Sequence, residues 1–201
     1  CAVIPEPTSD QLAAIAGESA VLHHLLSGEE PRVAFLSFST KGSARHRRVT
    51  HVKQAVTTFS ESYPDILHDG ELQVDSAIVP SVASHKVNDS PLKGNASVLI
   101  FPTLDAGNIA YKITERLAGY TAWGPLLQGL NKPVHDLSRG CSSSDIFNVA
   151  TIAALQKWDV VKTIKSNLEA VKAADVICQI CQGSEGEGNK TINFSKFQEI
   201  Q

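Results

Sequence analysis

Ten consecutive residues, Asp136-Leu137-Ser138-Arg139-Gly140-Cys141-Ser142-Ser143-Ser144-Asp145, bring a hydroxyl, a guanidinium, a thiol and two carboxylates into one short stretch. A Ser/Gly-rich loop of this kind suits the opening of a helix, where unpaired N–H groups attract anions. Arg139 adds a planar bidentate charge suited to phosphate, and Ser138 places a hydroxyl beside it. Asp145 follows in the expected first helical turn, where it can act as a base. The same residues also read as ordinary capping, since Ser and Asp open many helices. A second cluster is Ser37–Ser43, in which Ser39, Thr40, Lys41, Gly42 and Ser43 follow an apolar run. A small hydroxyl-rich loop with one Lys can hold a phosphate; a polar turn is the other reading. It is neither a Walker loop nor a nucleophile elbow. The third cluster runs from Phe101 to Arg116 and includes Asn108, Tyr111, Lys112 and Arg116. Lys112 and Arg116, four apart on an expected helix, share one face. That suits a phosphorylated ligand or, equally, a solvated surface.

Other chemistry-bearing residues make weaker patterns. Arg45-His46-Arg47-Arg48 reads as a basic helix start or as a nucleotide contact. Cys178 and Cys181 lack the second pair or nearby His that zinc needs. His23-His24 has no metal-ligand partners at useful spacing, and Gly183, Gly186 and Gly188 follow no strand. No metal site is expected. Cys141 has no His base in its stretch and reads as a packing residue.

These clusters need elements to position them. Helical spacing of apolar residues predicts helices over Thr8–Leu26, His46–Tyr63, Leu104–Leu117 and Ser144–Leu155. Apolar runs predict strands at Arg32–Ser39, at the start of Asp69–Val79, over Asn95–Phe101 and within Tyr120–Leu130. Ser84–Gly94 reads as a polar loop and Pro133–Gly140 as strand running into loop. A further helix is expected over Val160–Ile180, followed by a flexible tail. Strands alternating with helices predict an α/β fold with a mostly parallel sheet. In such sheets ligands bind at the carboxyl ends of the strands, which singles out the loops after Ser39, Phe101 and Leu137.

Composition bounds the possibilities. The 201 residues are 42% hydrophobic and 19% charged, as in a folded domain. Eighteen basic against 21 acidic residues give a net charge of −3, which argues against a general nucleic-acid binder. No apolar run reaches the roughly 20 residues of a membrane helix. Four cysteines in a chain this long do not form a disulfide scaffold, so a reducing cytoplasm is expected. The chain contains no Met, even at its start, and reads as a portion of a longer one.

Together the segments resemble the phosphate acetyltransferase (phosphotransacetylase) family. The matching stretches are Phe35–Ser43 (FLSFSTKGS), Asp69–Val79 (DGELQVDSAIV), Val98–Lys112 (VLIFPTLDAGNIAYK), Gly124–Gly129 (GPLLQG) and Lys132–Cys141 (KPVHDLSRGC). They occur in the family's order over roughly residues 1 to 155. The resemblance implies a three-layer α/β/α sandwich, isocitrate/isopropylmalate-dehydrogenase-like, incomplete at the N-terminus. It implies a coenzyme A-binding domain over 1–133, an active-site segment returning to the other domain over 134–177, and a tail over 178–201. The implied reaction moves acetyl between acetyl-CoA and inorganic phosphate, giving acetyl phosphate and CoA through a ternary complex. Asp145 would take the thiol proton, while Arg139 and Ser138 would steady phosphate and carbonyl. Lys112 and Arg116, with Asn108 and Tyr111 in the same stretch, match positions that hold coenzyme A; Ser39–Ser43 would line the phosphate side. CoA is then substrate rather than resident cofactor, and a homodimer is expected. The alternatives are a phosphate butyryltransferase and a non-catalytic acetyl-CoA-sensing domain of the same fold.

Overall fold

The central strand, β1 (Arg32–Leu36), is apolar after its first residue and buried from Val33 to Leu36. Such a continuous run belongs to a strand covered on both faces. In the computed structural model, which describes residues 3–157, β1 lies between β2 (Leu67–Leu72) and β3 (Val98–Ile100), parallel to both. Side chains alternate across a strand. Val33 and Phe35 therefore enter one core with residues of α1 (Ser9–Ser27) and α2 (Arg47–Ser62), including Leu12, Ala16, Val52 and Phe59. Ala34 and Leu36 enter a second core with Leu72, Ala77, Ala83, Val87 and Leu92. Ala77 and Ala83 come from two short helices, α3 (Val74–Ile78) and α4 (Pro80–Lys86). Helices thus cover both faces of a parallel sheet, the three-layer α/β/α arrangement that the resemblance implies.

Local chemistry sets the boundaries. Thr8 caps α1 reciprocally: its hydroxyl accepts from the Gln11 N–H at 3.2 Å and its own N–H donates to Gln11 Oε1 at 2.9 Å. α1 stops at Gly28, whose φ of 72° is left-handed. The connection from β1 to β2 runs through α2 on one face, and that from β2 to β3 through α3 and α4 on the other. The change of face marks the carboxyl ends of β1 and β3 as the place for a crevice. From β3 the chain enters α5 (Leu104–Ala118), capped by the Thr103 hydroxyl accepting from the Ala106 N–H at 3.3 Å. After an irregular segment, residues 143–157 are helical; they are α6 below.

Four expectations are corrected. Ser84–Gly94 is not all loop: Pro80 pre-sets the first turn of α4, and burial of Ala83 holds that helix to Lys86. The strand over Asn95–Phe101 shrinks to three residues. The N–H groups of Asn95, Ala96 and Ser97 donate instead to Leu92, Ala77 and Arg32 outside regular ladder pairing. Tyr120–Leu130 and Pro133–Gly140 contain no strand. Gly124 and Gly129 adopt positive φ, Pro125 has no N–H, and only a single antiparallel bridge, Leu126 to His135, survives. Leu137 is therefore not a strand end. The helix expected over Val160–Ile180 and the boundary near 177 lie outside the described residues. Among the described residues, no helix is long and apolar enough to cross a membrane.

Candidate active site

Beside the edge strand β3 lies a cleft of about 900 Å³. α5 lines it with Asn108, Tyr111, Lys112 and Arg116, and the later segment lines it with Ser138, Gly140, Cys141 and Asp145. The irregular segment between, with Tyr120, Trp123 and Pro125, forms its side. Three contacts hold that segment in place. The Ser19 hydroxyl donates to Gln128 Oε1 at 3.2 Å, anchoring it to α1. The bridge between Leu126 and His135 folds it back on itself. His135 Nε2 lies 2.8 Å from Gln156 Oε1 on α6.

At the mouth of α6 the capping reading is realised in full. Ser142 Oγ accepts from the Asp145 N–H at 3.2 Å. Asp145 Oδ2 accepts from the Ser142 N–H and from its hydroxyl, both at 2.8 Å. These bonds hold the Asp145 carboxyl below its ordinary range, the backbone N–H of Ser142 first, its hydroxyl next, with the Arg116 charge adding to them. Asp145 is therefore an anion at neutral pH. Its second oxygen, Oδ1, accepts no hydrogen bond from any described residue. The cap thus occupies one carboxylate oxygen of a residue that also lines the cleft.

The cation whose charge reaches Asp145 is Arg116, on a different helix. Arg116 is exposed, with its Nε 3.4 Å from Glu115 Oε2. Arg139 is exposed between two cleft residues, Ser138 and Gly140, but does not itself line the cleft. Ser138 organises the turn: its hydroxyl accepts from the Gly140 N–H at 3.3 Å and its carbonyl from the Cys141 N–H at 3.0 Å. Cys141, expected to be a packing residue, is half-buried and lines the cleft. Lys112 Nζ sits 5.0 Å from the Tyr111 ring centroid, a cation–π contact on the α5 wall.

The Ser39–Ser43 loop is elsewhere. It closes over β2 and contributes nothing to the cleft lining. Its donors are already engaged. The Gly42 N–H and the Ser39 hydroxyl donate to Glu71 Oε1 at 2.7 and 2.9 Å, and the Lys41 N–H donates to the Glu71 carbonyl at 3.0 Å. The Thr40 N–H goes to Ser43 Oγ, and the Lys41 ammonium pairs with Asp69. Two buried carboxylates, Asp69 and Glu71, thus shape this loop; they fall in the matching stretch Asp69–Val79 but were given no site role, because an acidic residue in a strand carries no spacing signal. Among the described residues no group of His, Cys, Asp or Glu could hold a metal ion.

The chain has well-defined relatives. The family model described as phosphate acetyl/butaryl transferase matches residues 1–154. A phosphate acetyltransferase of Bacillus subtilis is 53% identical over 156 residues, covering 78% of this chain and 48% of the relative. One from Staphylococcus aureus is 52% identical over 160 residues, again covering 78% and 48%. Among solved structures, the EutD phosphotransacetylase from Staphylococcus aureus superposes with a TM-score of 0.73 at 51% identity, covering 78% of this chain and 48% of that one. A branched-chain phosphotransacylase from Enterococcus faecalis gives a TM-score of 0.63 at 25% identity, covering 78% and 57%. The chain spans about half the length of the curated relatives it matches. With its sheet, its cleft and 154 matched residues, this chain belongs to the phosphate acetyl/butaryl transferase family.

Proposed function

We propose that the chain carries the coenzyme A-binding and proton-transfer part of a phosphate acetyltransferase. The observation that supports this best is one cleft of about 900 Å³ lined together by Lys112, Arg116, Ser138 and Asp145. A negatively charged thiol ester substrate needs cations along its length and a carboxylate where the sulfur reacts. In the direction of thioester synthesis, the CoA sulfur attacks the acetyl carbonyl of acetyl phosphate. The C–S bond forms, the C–O bond to phosphate breaks, and phosphate leaves with the electron pair. The thiol proton passes to Asp145. Ordinary thiol and carboxyl pKa values lie roughly five units apart, so Asp145 is a weak base for this step. Cations near the sulfur must lower the thiol pKa; Arg116, which lines the cleft, fills that role, Ser138 donates to the carbonyl oxygen, and Arg139, outside the cleft lining, keeps its phosphate role through the resemblance alone. Asn108 and Tyr111 line the same wall and flank the cofactor-like body of the substrate. The Ser39–Ser43 loop keeps its phosphate-side assignment only through the resemblance. A homodimer and a cytoplasmic setting belong to the same reading.

Acetyl is favoured over longer acyl groups because the relatives near 52% identity are acetyltransferases, whereas the branched-chain relative is 25% identical. Calorimetric titration with CoA, and thioester formation from CoA and acetyl phosphate, test the proposal. CoA binding that weakens in Lys112→Ala and Arg116→Ala is expected. Turnover is expected to fall about 100-fold or more in Arg139→Ala and Asp145→Asn. A chain that binds no CoA refutes the reading. Binding without phosphate-dependent thioester chemistry leaves the acetyl-CoA-sensing alternative, and faster turnover of butyryl phosphate leaves the butyryl one.

A further inference from the structure

Outside the cleft lining, the end of the β1–α2 loop and the first turn of α2 expose three arginines that no described residue neutralises. Arg45, Arg47 and Arg48 are all exposed, and none makes an ion pair or side-chain hydrogen bond with any described residue. Their placement is unfavourable by itself. Arg47 and Arg48 occupy the first turn of α2, which holds no acidic residue, and cations there oppose the helix dipole. The nearby acids cannot relieve them: Asp69 and Glu71 are buried, and their neighbours are Lys41 and Lys53. Beside the arginines stands an exposed aromatic platform. Phe38 is 55% exposed, and its ring meets the His46 ring edge-on at 5.9 Å between centroids. His46 is itself fixed, its Nδ1 accepting from the Arg48 backbone N–H at 3.2 Å, which ties the ring pair to the start of α2. Unpaired guanidinium groups recognise phosphate oxygens, and an exposed ring stacks a base.

We propose that this patch binds a nucleoside polyphosphate, with phosphates on Arg45, Arg47 and Arg48 and the base against Phe38. The inference is independent of the cleft reading. The patch binds ligand without chemistry, so no bond is made or broken.

The probe is ATP, titrated calorimetrically into the chain at two salt concentrations, with inorganic tripolyphosphate as the base-free control. Saturable ATP binding is expected, at least tenfold tighter than tripolyphosphate and weaker at higher salt. Phe38→Ala should remove the preference over tripolyphosphate. The double variant Arg47→Glu/Arg48→Glu should lose ATP binding while its Tm rises, because acidic residues suit the first turn of a helix. That opposed pair of changes separates a binding role from misfolding. Lys112→Ala/Arg116→Ala should leave ATP affinity unchanged, which keeps this result distinct from CoA binding in the cleft. The proposal is overturned if ATP does not bind, if tripolyphosphate binds equally well, or if the Glu variant binds normally. It is also overturned if a single-stranded RNA decamer binds tighter than ATP, since the partner is then a nucleic acid.

Discussion

Asp145 shows how one side chain serves a helix and a cleft together. Its carboxyl is held below the ordinary value of 3.8 by Ser142, first through the backbone N–H and then through the hydroxyl. A carboxyl that binds its proton less readily folded than unfolded adds stability above the unfolded pKa, and that stability is lost as pH falls through the folded one. Ser142→Ala keeps the backbone donor but removes the hydroxyl, so the Asp145 carboxyl resonance should titrate at higher pH by NMR than in the parent chain. Asp145→Asn should flatten the acid limb of the stability curve while α6 loses its reciprocal cap. Asp75 is lowered too, mainly by its hydrogen bond to Lys86 at 2.8 Å. Both partners are nearly half exposed, however, so Lys86→Ala should cost no more than about 1 kcal/mol in denaturant titration.

Elements fit together here by close approach. A Cβ on Gly17 of α1 would come within 2.3 Å of the Tyr63 ring at the end of α2. Gly17→Ala should therefore push the half-buried Tyr63 ring aside and cost no more than about 1 kcal/mol in chemical denaturation. Phe59 is wholly buried between β1 and α2, edge-on to Phe35 at 5.3 Å, and Phe59→Ala should cost about 3–5 kcal/mol. The long helices and the buried strand β1 were legible in the sequence because helical spacing and an unbroken apolar run mark them directly; in the structure Thr8 opens α1, Thr103 opens α5, and Gly28 and Gly119 close them. α4 was not legible, because its helix rests on one buried alanine and a proline start. Nor was the irregular course of residues 120–140, whose apolar content imitates a strand while its glycines and Pro125 prevent one. At the site, shared helix faces made Lys112 and Arg116 readable as a pair. That Asp145 answers to Arg116 was not, since the two lie on separate elements joined only in three dimensions.

Across the whole molecule, burial is uneven. Both cores converge on β1, whereas α5 contains no buried residue and exposes Ile109, Ile113 and Leu117. Substitutions on that helix should therefore move stability little: Ile113→Glu and Leu117→Glu are expected to shift unfolding by no more than about 0.5 kcal/mol. If this face serves the expected homodimer, the same two variants should sediment as monomers where the parent chain self-associates. α5 does have one tie to the front of the chain, the Leu104 N–H donating to the Pro5 carbonyl at 3.0 Å. The first few residues thereby act as a guy-rope for the wall that carries Lys112 and Arg116. Deleting residues 3–6 should slacken that wall, seen as faster amide exchange along α5, and turn a segment far from it in sequence into a dial on how widely the cleft gapes.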